Sequence, residues 1–407
     1  MLQVIVPLFL FLLLAALYVK DKTPRQGLYS IAAETLKGLR LLRFPLPWLE
    51  NVLHKHAPFR RHCSPYKKTR KNVSHFPLIL NLPTSEDSGE ATHPDVLHVP
   101  EGWSKGNWSW LMSATPYASG DDYLENPELY VSYDGFNWMP PGAEINPLAS
   151  LPVDSCQRTL KKEIHSDSSL LLCGETLHLY YRWSGKRLDG SYENRIHLIT
   201  SRDGLTWSEH KTLLAEKDSP ERSRHFLSPS VLFMDGIYVM WTVEYEGGER
   251  SIIRRTSADG LVWSKPEKTP LISNYPLPPA WHLDVTPCAE RDGLILILTA
   301  AMKDGGDNAE LHYGFGDGQS WHMAGKLIEP GYFFESGRVY RSSLVSLGEG
   351  IYSLFYSAQS RNRTASVARL DLGLSSKGVF GTAVQGRLIY NIIRGREQIR
   401  RAPDGNG

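Results

Sequence analysis

The sequence predicts an all-β protein, a five-bladed β-propeller, behind an N-terminal transmembrane anchor helix. A repeated turn carries most of that prediction: Ser132-Tyr-Asp134-Gly135-Phe-Asn-Trp138, Ser201-Arg-Asp203-Gly204-Leu-Thr-Trp207, Ser257-Ala-Asp259-Gly260-Leu-Val-Trp263 and the looser Gly316-Asp317-Gly318-Gln-Ser-Trp321. Its tryptophans fall 69, 56 and 58 residues apart, room for one four-stranded sheet per interval. A second repeated element lies upstream of each turn, a short apolar run followed by an aromatic-rich strand. The third observation is Leu2 to Val19, an uncharged apolar run of 18 residues, just long enough to span a bilayer.

Each turn has a local logic. Asp-Gly between two alternating apolar runs marks a tight hairpin, because Gly accepts the positive φ it requires. The Ser and Asp side chains can bond the turn's own amides, and the Trp can pack back over the turn between neighbouring blades. These residues are read as structural fasteners that set the register of the repeat.

The first strands of the five units begin at Pro94-Asp95-Val96, Asp167-Ser168-Ser169, Ser228-Pro229-Ser230, Asp284-Val285-Thr286 and Ser342-Ser343-Leu344. Second strands follow at Trp108–Met112, Leu177–Trp183, Ile237–Trp241, Leu294–Leu298 and Ile351–Tyr356, where alternation and β-branched or aromatic content indicate strand. Polar loops then end in Glu125-Asn126, Glu193-Asn194, Glu249-Arg250, Asp307-Asn308 and Asn362-Arg363. In a propeller the first strand is innermost, so the first-strand starts and the second-to-third-strand loops share one face. A ligand pocket belongs there, and the Asp-Gly turns lie on the opposite face.

This organisation divides the chain into an anchor (1–20), a basic amphipathic juxtamembrane segment and linker (21–84), the propeller (85–395) and a disordered tail (396–407). In 27–45, Leu28, Ile31, Ala32, Leu36, Leu39 and Leu42 interleave with Lys37, Arg40 and Arg43, the pattern of a surface helix ended by Pro45 and Pro47. That helix can equally pack on the propeller. Within the linker, His75 to Leu82 can add a strand. The 407 residues, 41% apolar, suffice for one large core, and a net charge of +1 argues against a general nucleic-acid surface. Cys63, Cys156, Cys173 and Cys288 show no metal-ligand spacing.

With five blades, a Pro-Asp-Val start and aromatic second strands in place, the chain resembles the five-bladed propeller clan of arabinanases, β-xylosidases and fructosidases, glycoside hydrolase family 43 among them, with Asp-box turns. The resemblance covers roughly residues 90 to 390. It implies hydrolysis by carboxyl groups at the inner ends of blades, one protonating the leaving oxygen while another activates water. The positions matching the family's blade-start acid read as His93, Asp167, Ser228 and Asp284. The first departs from the pattern, and Asp95, one position further in, points off the axis unless the strand is bulged.

The resemblance therefore implies Asp167 and Asp284 on the axis, with Glu125 or Glu193 from a polar loop as the missing catalytic partner. Histidines near the blade starts, His93, His165, His225 and His282, face the same mouth. They can hydrogen-bond an anionic sugar or hold a divalent ion with Asp167 or Asp284. Arg182, Arg195, Arg338 and Arg341 favour the anion, since guanidinium binds carboxylate or phosphate in a bidentate manner. No other cofactor is implied.

The expected function is a membrane-anchored glycoside hydrolase acting on a bacterial polysaccharide or glycan precursor. The alternatives are a non-catalytic glycan-binding or scaffolding propeller in polysaccharide synthesis or export, and a glycosyl transferase. The expected partners are a carbohydrate and the membrane, with no nucleic acid. From Lys20 through Lys71 the flank of the anchor holds thirteen Lys or Arg against three acids. The positive-inside rule then puts the propeller on the cytoplasmic side of the inner membrane. A C-terminal alkaline-phosphatase fusion is expected to be inactive and a green-fluorescent fusion bright; periplasmic phosphatase activity would reverse the orientation.

Overall fold

A computed structural model describes residues 77–149, 163–186, 192–219, 226–246, 249–288, 292–301, 308–348, 350–375 and 378–380. They form five antiparallel sheets, confirming the five-bladed propeller. The first blade is β2 (Ala91–Trp103), β3 (Trp108–Pro116) and β4 (Glu128–Ser132). The second is β5 (Ile164–Cys173), β6 (Thr176–Lys186), β7 (Tyr192–Ser201) and β8 (Lys211–Ser219). The third is β9 (Leu227–Met234), β10 (Ile237–Glu246), β11 (Glu249–Ser257) and β12 (Glu267–Thr269). In the fourth, β14 (Ala280–Pro287), β15 (Leu294–Ala300), β16 (Glu310–Gly316) and β17 (Trp321–Ile328) are joined by β13 (Leu271–Ile272), parallel to β17.

The fifth blade closes the ring. Its β18 (Arg338–Gly348), β19 (Ile351–Gln359) and β20 (Ala365–Ser375) receive β21 (Gly378–Phe380) and, from the other end of the chain, β1 (Leu78–Ile79). In that pairing Leu78 faces Arg369 and Ile79 faces Ala368. The strand expected in 75–82 thus joins the last blade to the beginning of the chain, and Leu80 and Leu82 are buried in the seam between blades five and one.

Five apolar clusters fill the five seams between blades. Trp138 packs with Trp110 and Phe355 between blades one and five, and Trp207 against Leu177 and Leu179 between one and two. Trp263 lies beside Tyr180 and Met240 between two and three, and Trp321 beside Trp241 and Leu296 between three and four. Each repeated Trp follows the third strand of its blade and seals the seam to the preceding one. The fifth blade has no such turn, and its seam with the fourth is filled by Tyr313, Leu344 and Tyr352.

The turns behave alike. Gly135 N–H donates to Ser132 Oγ at 2.9 Å while the amides of Phe136 and Asn137 both reach Asp134 Oδ1 at 2.8 Å. The same three bonds recur at Ser201–Asp203 and Ser257–Asp259. At the looser fourth copy, Asp317 takes the amides of Gln319 and Ser320. The glycines stand at φ of 71°, 72°, 73° and 85°, where a Cβ would be strained.

The Leu2–Val19 run and the 27–45 segment lie outside the described residues, as does the tail; among the described residues no helix is long and apolar enough to cross a membrane. Trp321 is fully buried whereas Trp207 is partly exposed. Trp321→Ala should therefore cost about 3–5 kcal/mol and Trp207→Ala distinctly less, measured by urea unfolding.

Candidate functional site

The five innermost strands are bound into a ring by side chains. Leu170 N–H donates to Asp95 Oδ2, Val231 N–H to Ser169 Oγ, Val285 N–H to Ser230 Oγ, Leu344 N–H to Asp284 Oδ2 and Val96 N–H to Ser343 Oγ. Each blade accepts from the next, so the circuit closes on itself. Asp95, Ser169, Ser230, Asp284 and Ser343 occupy equivalent places around a small axial cavity of about 60 Å³.

Two residues earlier on the same strands stands a second layer: His93, Asp167, Ser228, His282 and Arg341. Four of them have a left-handed backbone, with φ of 54° at His93, 51° at Asp167, 49° at Ser228 and 27° at Arg341. Pairing registers slip at the same places, between Thr92 and Asp95, Ser166 and Ser169, Ala280 and His282, and Tyr340 and Ser342. Such backbone costs of order 1–3 kcal/mol per residue and persists only where its surroundings impose it. It breaks the strand alternation at the mouth of the axis, and side chains from separate blades meet there.

His282 Nδ1 lies 2.6 Å from Ser228 Oγ and 3.2 Å from Asp167 Oδ1. His93 Nε2 is 3.8 Å from the same Asp167 oxygen, and the His93 and His282 ring centroids are 5.4 Å apart. One ligand-type atom from each of His93, Asp167 and His282 falls within 4.8 Å of the others, and all three residues are buried. At the other edge of His93, Nδ1 is 3.6 Å from Glu125 Oε2. Arg182 Nη1 approaches Asp167 Oδ2 at 4.0 Å, and Arg182 Nη2 donates to Asn194 Oδ1 at 2.8 Å. Tyr340 stands edge-on to His93, Trp281 stacks on Tyr340 at 5.4 Å, and Arg338 lies over the Tyr340 ring at 4.6 Å.

Burial sets the protonation states. It lowers His93 to about 3 against the pull of Asp167, and lowers His282 as well, leaving both imidazoles neutral near pH 7. Burial opposes ionisation of Asp167, yet attraction to His93 and His282 when these are protonated, together with the His282 hydrogen bond and the Arg182 charge that act at any pH, outweighs it and holds that carboxyl well below its usual range. Glu125 goes the other way: burial, reinforced by the charges of Asp167 and Asp122, pushes it well above the ordinary value. The mouth thus pairs a carboxyl held toward ionisation with one held toward its protonated form.

The predicted site residues divide into those at this mouth and those elsewhere. His93, Asp167, His282 and Glu125 meet there, with Arg182 and Arg338 beside them. Asp284 is not the fourth blade's counterpart of Asp167; His282 is, and Asp284 sits two residues on, in the hydrogen-bonded ring. Burial and the nearby Asp95 raise Asp284 to about 7. Asp95 belongs to the same ring, placed on the axis by the bulge. Arg341 does not present its guanidinium as an anion site: it donates to the carbonyls of Leu283, Ser168 and Pro229 and plugs the axis beneath the histidines.

Glu193 pairs with Arg195 at 2.9 Å, and Arg195 covers Trp183. His165 stacks on Tyr181. His225 lies outside the described residues. Trp281 and Tyr340 were not singled out from the sequence, although Tyr340 immediately precedes Arg341, and Ser228 was read only as the third blade's counterpart of Asp167 and given no role.

No protein-family profile matches the chain. It is 24% identical over 330 residues to the A type blood N-acetyl-α-D-galactosamine deacetylase of Flavonifractor plautii, covering 70% of this chain and 42% of that protein. The chain thus spans about two fifths of the length of that relative. A crystal structure of an N-acetylgalactosamine deacetylase from F. plautii in complex with blood group B trisaccharide superimposes with a TM-score of 0.60 at 19% identity, over 74% of this chain and 93% of that one. A GH43_1 enzyme from Xanthomonas citri gives a TM-score of 0.49 at 13% identity, over 71% and 89% of the two chains. What the chain shares with that F. plautii structure is its fold.

The depressed His93 fixes a sign for stability. The unfolded chain takes up a proton near pH 6.5 that the folded site refuses until about pH 3, so this contribution is complete above 6.5 and is lost as pH falls between those values. The urea midpoint should drop across that window, and His93→Asn should flatten the drop; an unchanged slope would contradict a buried neutral His93.

Proposed function

We propose that this propeller is a carbohydrate-active hydrolase that uses a divalent metal ion to remove an N-acetyl group from an amino sugar. The observation that carries the reading is the convergence of His93, Asp167 and His282, two neutral imidazoles and one carboxylate, on a single buried point. That donor set suits a catalytic metal of the zinc or manganese kind. The residues fit such an ion in a further respect: His282 Nδ1 is occupied by Ser228 and Asp167, and its buried Nε2 has no hydrogen-bond partner. Likeness to the deacetylase supports the choice of an amide as the bond broken.

A divalent ion held there would supply Lewis acidity toward an acyl oxygen. Water adds to the acyl carbon as the C–N bond breaks, its proton replacing the one given to nitrogen, and the chain's own groups arrange the exchange. Ser228 and Asp167 fix the His282 tautomer, and Arg182 holds the Asp167 carboxylate from behind. Glu125 keeps a proton on its carboxyl beside His93 and is placed to give it to a leaving nitrogen. Trp281, stacked on Tyr340, offers an aromatic surface at the mouth for a sugar ring.

The second reading is hydrolysis of a glycosidic bond. It rests on the unlike pair Glu125 and Asp167, one protonated and one ionised, at opposite edges of the His93 ring, as carboxyl acid/base chemistry requires.

One substrate separates the two. Given para-nitrophenyl N-acetyl-α-galactosaminide, the protein is expected to release acetate and leave the nitrophenyl glycoside intact as the free amine. Release of nitrophenol would establish the glycosidase, and neither product would point to a binding module. Chelation should abolish deacetylation and zinc or manganese restore it, while His282→Ala should abolish metal retention. Glu125→Gln should lower kcat by about 10² to 10⁴ with metal still bound. Activity that depends on protonated Glu125 declines as pH rises through its elevated pKa, and such a decline is the expected alkaline limb of the profile.

A further inference from the structure

The polar loop of the second blade ends in Glu193-Asn194. Successive strand residues point to opposite faces of a sheet, so the two part company. Glu193 turns to Arg195, whereas Asn194 is wholly buried and turns to Arg182. Ile196 is the direct cross-strand partner of Arg182 and Ser184 that of Asn194, which places Asn194 diagonally across from Arg182 on the same face. Asn194 Oδ1 accepts from Arg182 Nη2 at 2.8 Å. That bond assigns the amide: its oxygen faces the guanidinium, and Nδ2 is left buried with no hydrogen-bond partner among the described residues. An unsatisfied buried donor costs about 1–3 kcal/mol. An asparagine that carries this cost answers to Arg182 and not to packing.

Arg182, itself 2% exposed, reaches toward both carboxyls of the mouth. Nη1 lies 4.0 Å from Asp167 Oδ2 and 3.5 Å from Ser166 Oγ, and the Ser166 hydroxyl bonds in turn to the Glu125 carboxyl. The guanidinium charge acts on both acids. Arginine has many rotamers, and contacts as long as those of Nη1 do not select one. The bond from Nη2 to Asn194 is short enough to do so. Once Nη2 is fixed, the planar fork directs Nη1 at Asp167 and Ser166.

We infer that Asn194 is a positioning residue: by holding Nη2 it aims the Arg182 guanidinium at Asp167 and, through Ser166, at Glu125, and so sets both carboxyls of the mouth from one point in the second blade. The inference rests on that mouth being the working site, and it holds for amide and glycosidic hydrolysis alike, since each uses both carboxyls.

Metal-free crystal structures of Asn194→Leu and Asn194→Asp in the full chain read the geometry whatever the reaction. Leucine fills the space and accepts nothing, so Arg182 Nη1 should leave Asp167 and Ser166, and the Asp167 carboxyl should turn from its place beside His282. Aspartate keeps an oxygen for Nη2 and should leave both where they are. Asn194→Ala takes the place of leucine if that variant does not fold. In solution, manganese(II) titrated into the full chain is followed by electron paramagnetic resonance. Its affinity should fall about 10- to 100-fold in the leucine variant at unchanged stoichiometry and stay within about threefold of wild type in the aspartate variant, the loss usual when a group behind a ligand is removed. Arg182 and Asp167 unmoved in the leucine structure, unchanged manganese affinity, a loss of stoichiometry in place of affinity, or an aspartate variant as weak as the leucine one would each overturn the inference. Wild-type protein that takes up no manganese would overturn the metal reading alone, and the variant structures then decide the role of Asn194.

Discussion

The circuit of side-chain-to-backbone bonds among the five inner strands is the constraint on which the rest of the molecule depends. Strands radiating from an axis cannot pair with the first strand of the next blade, so their inward-facing amides need other acceptors. Asp95, Ser169, Ser230, Asp284 and Ser343 provide them, each one blade along from its donor. A single such bond contributes only about 1 kcal/mol. Closed into a ring, the five hold every blade at one height on the axis, and the height fixes which residues reach the mouth. Two of the five acceptors are carboxyls, and burial beside Arg341 keeps them from behaving as ordinary surface acids.

The site is the layer directly above that ring, and its chemistry follows from the strain needed to build it. Left-handed residues at the strand starts cannot be relaxed without shifting the ring below, so His93, Asp167, Ser228 and Arg341 are held where an unconstrained strand would not place them. Arg341 satisfies three backbone carbonyls that would otherwise face the channel and sets a positive charge beneath two histidines. Burial and that charge together keep the imidazoles neutral. Asp167, held toward ionisation, and Glu125, held toward its protonated form, stand at opposite edges of His93, so the mouth sets two unlike carboxyls in fixed places.

Away from the axis, stability comes from the seams. The repeated tryptophans stand where adjacent blades splay, and the Asp-Gly turns that present them also generate the exposed residues of the turn face. One motif therefore serves the core on one side and sets what the disc exposes on the other. β1 closes the last blade with residues from the beginning of the described chain.

Most of the architecture was legible in the amino-acid order. The blade count, the turns, the seam positions of Trp138, Trp207, Trp263 and Trp321 and the added strand near residue 78 all rest on local signals, a glycine at positive φ or an alternating run, which act within a few residues. The site was legible in part: repeat phase marked Asp167, His93, His282 and Glu125 as facing one mouth. Which residue of each strand occupies that mouth was decided only by tertiary structure, because the strand-start bulges shift the alternation by an amount no local pattern encodes. The shift puts His282 where Asp284 was expected, sends Asp284 into the ring and turns Arg341 onto backbone carbonyls. The physical reason is that these positions answer to hydrogen bonds from neighbouring blades, made by residues some 55 to 75 positions away in the chain.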